Sequence, residues 1–201
     1  ETCLKLPGLQ QRGDVHRMLG EMYLGIHRLS DSETQFLAAL QLIEEPMSKA
    51  RIWSLMSQLA GSRYQTAYAR QCLEKAYKEL NIAAPTGDRK EIVKAGLRWL
   101  WLLATGAFWK EREAQGEERG RHRLLGELLE RSTTLAYYQF DQKIMSEAAL
   151  RNLVVSEYLG VSPESMRGYL GLSLNLAVKG MRRLSNWALN RVQKFAHRLG
   201  T

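Results

Sequence analysis

Apolar residues recur along this chain at helical spacing almost from end to end. No stretch alternates Val, Ile, Thr or Tyr as a half-buried strand would. The rhythm breaks at His27–Ser30, Glu45-Pro46, Gly61–Gln65, Ala84–Gly87, Ala114–Gly120, Gln139–Asp141, Gly160–Pro163 and Lys179-Gly180. About nine helical segments lie between the breaks. Capping residues reinforce the starts: Asp31-Ser32-Glu33 and Ser162-Pro163-Glu164 each set a cap ahead of an acid in the first turn. The fold class this predicts is all-α.

Helices of this size arriving in pairs call for a search for repeats. In the first pair Leu19-Gly20, Tyr23, Phe36 and Ala39 occupy the spacing of the tetratricopeptide repeat. Gly20 admits close approach of the second helix, Leu19 and Tyr23 fill the wedge, and Phe36 and Ala39 face back. Pro46 then reads as the end of that repeat. A second pair follows at a 37-residue offset, with Trp53, Met56, Ser57 and Ala60 on one helix and Ala69, Leu73 and Ala76 on the other. Two degenerate pairs complete the set, ending alike in Tyr158-Leu-Gly160 and Arg198-Leu-Gly200 at a 40-residue offset. The predicted architecture is an α-solenoid of about four tetratricopeptide-like hairpins, about 13–46, 49–81, 122–160 and 163–200, forming a single domain over 1–201. One long helix, about 88–112, is inserted, and Glu111–Arg123 reads as a mobile loop or frayed end.

Four stretches carry a resemblance: Met18-Leu-Gly-Glu-Met-Tyr-Leu-Gly, Cys72-Leu-Glu-Lys-Ala-Tyr-Lys-Glu-Leu, Ser156-Glu-Tyr-Leu-Gly-Val-Ser-Pro-Glu and Lys194-Phe-Ala-His-Arg-Leu-Gly. With the helical spacing, they resemble the repeat region of large bacterial signalling ATPases of the STAND type. The resemblance implies a cytoplasmic regulatory module attached to a nucleotide switch and an output domain elsewhere. No GxxxxGK[ST] lies in this sequence, so no nucleotide site is expected here. Glu1 in place of Met, with no signal peptide after it, reads as a piece excised from something longer.

Chemistry-bearing motifs are absent from the sequence. His16, His27, His122 and His197 never pair at i+3 or i+4, Cys3 and Cys72 have no His nearby in sequence, and there is no GxSxG. The expectation is a non-enzymatic protein with no cofactor, no metal and no catalytic residue. The apolar run Trp99–Trp109 is too short to span a bilayer. On its helix, Trp99, Leu103 and Phe108 are expected in the core, bridging the interrupted array, with one side left as a docking alternative.

Two segments read as contact surfaces. Residues 151–170 have the spacing of a helix-turn-helix, with Gly160 as the turn and Met166 and Tyr169 buried. Ser165 and Arg167 would then face bases or phosphates. The competing reading is a junction between two hairpins, and the recurrence of Gly160 as Gly200 supports it. The second segment is the last helix. Net charge is +8, residues 131–201 hold ten Lys/Arg against four acids, and no acid follows Glu164. At 100° per residue, Trp187, Arg191, Lys194 and Arg198 fall within about 60° of one another. Leu184, Ala188, Val192, Phe195 and Leu199 form a separate, core-facing arc. The Trp-led cationic row is the expected contact for a protein partner, an acidic segment or neighbouring domain of a longer parent. The alternative function is a DNA-binding regulator using 151–170.

Overall fold

The computed structural model describes residues 7–106 and 113–200. Among them are nine α-helices and no strand. The chain divides into two compact units, Glu1–Ala84 and Pro85–Thr201.

The first unit holds α1 (Pro7–Gly25), α2 (Leu29–Leu42), α3 (Pro46–Ser62) and α4 (Thr66–Glu79). α1 pairs with α2, α3 with α4, and α2 abuts α3. Gly20 does what its spacing predicted: a Cβ there would lie 2.5 Å from the Phe36 ring. Ser32 Oγ donates to the Gly20 carbonyl at 2.8 Å, so the two helices are also hydrogen-bonded at this closest approach. Phe36, Ala39, Ile43, Ile52, Met56, Leu59 and Cys72 form the core, with Leu24, Trp53 and Tyr68 packed around it. Ala69 and Ala76 are buried on α4. Pro46 does not close the first hairpin. It is the first residue of α3, where its missing N–H costs no hydrogen bond.

The second unit holds α5 (Arg89–Gly106), α6 (Gly116–Tyr138), α7 (Gln142–Leu159), α8 (Pro163–Val178) and α9 (Arg182–Leu199). α6 pairs with α7 and α8 with α9, while α5 lies against α7. The inserted helix is therefore real, although 107–112, with Phe108 among them, lie outside the described residues, as does Cys3. Its inward side carries Ala95 and Leu102, with Trp99 packed on the core of Leu153, Tyr169, Leu172 and Ala188. Leu103 is only half-buried. Val93, Leu97, Leu100 and Trp101 face away, exposed. The buried Glu147 carboxylate accepts from the Thr86 and Gly87 amides and pairs with Arg151, fixing the lead-in to α5. Residues 116–123 are helical, not a loop, because Glu117 and Glu118 sit in the first turn of α6 where the helix dipole favours acids.

One turn recurs in all four hairpins. His27, Tyr64, Phe140 and Gly180, each two residues beyond its helix, have φ of 60°, 59°, 56° and 74°. In each, the next residue's amide donates to the carbonyl five back: Arg28 to Tyr23, Gln65 to Ala60, Asp141 to Ala136, Met181 to Leu176. This is the Schellman closure of a helix end. His27 to Tyr64 spans 37 residues and Phe140 to Gly180 spans 40, the two offsets read in the sequence.

Candidate interaction surfaces of the last hairpins

α9 is oriented by Ser185, Ala188, Val192 and Phe195, which face α8 and the core beneath it. Ser173 and Ser185 exchange hydrogen bonds through their hydroxyls and carbonyls at 2.9–3.1 Å, replacing an apolar contact at the crossing. Leu184 and Leu199, expected inward, are exposed.

The row read from the sequence on α9 splits in two. Arg191 is not a free cation. Its guanidinium stands 4.8 Å from the Tyr169 ring centre and 3.3 Å from both carboxylate oxygens of Glu157. The Tyr169 hydroxyl donates to the same carboxylate. Burial pushes the Tyr169 phenol well above its ordinary pKa; the Glu157 charge adds to this and Arg191 opposes it. Trp187 is 40% exposed and edge-on to both Trp99 and Tyr169, each at 6.1 Å. It tops an aromatic cluster. Trp187 and Arg191 stand where α9 passes Trp99 of α5 and Glu157 of α7. Lys194 and Arg198 remain exposed on the outer side, with no ion pair among the described residues.

The helix-turn-helix reading meets a similar obstacle. Ser165 is fully buried, bonded to Ser162 and donating to the Ser156 carbonyl at 3.0 Å, so it cannot reach a base. Arg167 is exposed but 3.5 Å from Glu130 of α6. Gly160 and Gly200 share a positive φ but differ in ψ, −143° against 24°, so their common sequence context is not a common conformation.

The outward side of α8 was missed from sequence. Leu170, Leu174 and Val178 form an exposed stripe that continues to Met181, on the side opposite buried Tyr169 and Leu172. Beside it runs α6. Arg123 reaches Glu164 at 2.9 Å and Glu130 reaches Arg167, setting the register between the two helices. Farther along α6, Tyr137 is exposed and packs edge-on to Tyr138. Apolar residues at i+4 spacing on two sides of one helix were the signal available.

Elsewhere, Cys72 is buried and desolvation pushes its thiol up to about 11. His16 bonds Gln35 at 2.7 Å. Among the described residues no group of three His, Cys, Asp or Glu could hold a metal, and no helix is long and apolar enough to cross a membrane. Compared with protein-family models, curated proteins and solved structures, the chain gives no match.

Proposed function

We propose that the chain is a non-enzymatic, tetratricopeptide-like interaction module of a larger cytoplasmic signalling protein, holding a polypeptide partner on the joint face of α6 and α8. The observation that carries this reading is the exposed stripe Leu170–Leu174–Val178–Met181. Three large apolar side chains at i+4 spacing, all facing solvent on one helix, have the composition of a docking face. From Leu170 to Val178, the last residue of α8, the stripe is about 12 Å long, two turns of helix, and Met181 follows beyond the turn. Arg167 stands at one end and Lys179 and Arg182 at the other, with no acid on the segment. The occupant that fits is an amphipathic helix with apolar anchors at i, i+3 or i+4, and i+7, and acidic flanks.

The test is selection of a displayed library of amphipathic helices against the full chain, with counter-selection against Leu174→Asp/Val178→Asp. Both positions are exposed, so the variant keeps its fold. The expected result is enrichment of acid-flanked helices that bind the wild type at least tenfold tighter than the variant. Equal binding to both proteins, or no enrichment, sinks the reading.

A further inference from the structure

The charge of this chain is not spread along it. Residues 1–84 hold ten Lys/Arg and nine acids, residues 85–164 hold twelve of each, and residues 165–201 hold seven Lys/Arg and no acid. Of those seven, Arg167 and Arg191 are paired with Glu130 and Glu157. The remaining five are Lys179, Arg182, Arg183, Lys194 and Arg198, and four of them stand on α9. Five cations with no ion pair among the described residues, against a net charge of +8, therefore stand on and beside one helix.

The helix is disposed to use it. α9 packs inward through Ser185 and Ala188, and a wide outer arc is exposed. At 100° per residue, Arg183, Lys194 and His197 lie within about 60° of one another on that arc, with Arg198 at its edge. Between them stand Asn186, Asn190 and Gln193, all exposed. Arg183 to Arg198 spans about 22 Å. Every polar side chain on the arc can donate a hydrogen bond and none is an acid.

We propose that the outer face of α9 binds duplex DNA, its Arg and Lys side chains on phosphates and its amides toward base edges in the major groove. An α-helix fits the major groove of B-form DNA, whose width is about 12 Å, and the deep, narrow groove of duplex RNA excludes one. Phosphates repel carboxylates along the whole contact, which accounts for an arc free of acid. Asn and Gln both donate and accept, as adenine edges require, whereas an acidic peptide is matched by cations alone. This surface lies on α9, not on the 151–170 unit, and does not depend on the α6–α8 face.

The test is fluorescence anisotropy of the full chain with a labelled duplex of about 20 base pairs, two helical turns, between about 50 and 200 mM salt. The variant is Arg183→Ala/Lys194→Ala/Arg198→Ala, all exposed positions, with circular dichroism confirming its fold. Arg70→Ala, an exposed position on α4, is the control. The wild type is expected to bind with a steep salt dependence. The triple variant should lose it by about 0.9 in log–log slope for each phosphate contact removed, and Arg70→Ala should leave it unchanged. The proposal is overturned by absence of binding at 50 mM, by an unchanged slope in the triple variant, or by a poly-glutamate peptide that binds as tightly as the duplex. The last result would assign the face to an acidic polypeptide.

Discussion

Single atoms decide how closely these helices approach, and glycines show both signs of the effect. A Cβ at Gly20 would sit 2.5 Å from a Phe36 ring that is fully buried and has no free space to turn into. Gly20→Ala should therefore overpack the α1–α2 crossing and lower stability by about 1–3 kcal/mol. Gly171, inside α8, has nothing within 4 Å of the same added atom. There the methyl group only removes backbone freedom from the unfolded chain, so Gly171→Ala should raise stability by about 0.5–1 kcal/mol. Urea denaturation of the two variants checks both at once. No loss in Gly20→Ala would show that the α1–α2 contact is not tight, and a loss in Gly171→Ala would show that its surroundings are not open. The Gly20 role was legible because repeat spacing singles out one small residue opposite one aromatic. The Arg191 role was not. Its partner Glu157 lies 34 residues away on α7, and a helical wheel carries no information about what stands opposite an arc.

At the scale of elements, the hairpin offsets were readable because the interruptions of hydrophobic rhythm coincide with the turns. What closes those turns was not readable. Three of the four recurrent turns place His27, Tyr64 or Phe140 in a left-handed conformation that favours Gly, and only Gly180 has the expected residue. Tyr64 and Phe140 are each 91% exposed and contribute little packing to offset that conformation. Tyr64→Gly and Phe140→Gly should each leave the hairpin intact and raise stability, by up to about 1 kcal/mol after the added freedom of the unfolded chain is counted. Thermal melts with unchanged helical signal would check this, and a fall in both midpoints would show that the side chains brace the turns. Two further element-scale departures have local causes. Pro46 looked terminal because Pro ends helices, yet it equally well begins one, and no gap separates the two hairpins beyond Ile43–Glu45. The face of α5 was ambiguous because its apolar residues cover most of its circumference. Contact with α7 then selected Trp99 and Leu102 for the inside and left Leu100 and Trp101 outside.

At the scale of the whole molecule, the chain is two compact units, and each has the means to fold by itself. The first centres on Phe36, Ile43, Ile52, Met56 and Leu59. The second centres on Leu153, Tyr169, Leu172 and Ala188, with Trp99 from the inserted helix packed on it. The second is also the charged one, since all seven cations of the acid-free stretch lie after Glu164. The two properties separate cleanly by cutting the chain in the connector near Ala84. Residues 85–201 produced alone should give a helical spectrum and a cooperative melt. They should also retain the salt-dependent DNA binding of the intact chain within about threefold, because the contact term comes from α9 alone. Residues 1–84 should be helical and bind no duplex. At under 100 residues, the first half buries a smaller share of its surface and should melt lower than the second. A broad, non-cooperative melt of 85–201 would show that its core is incomplete without the first unit. DNA binding carried by 1–84 would show that net charge, near balance in that half, is not what attracts the duplex.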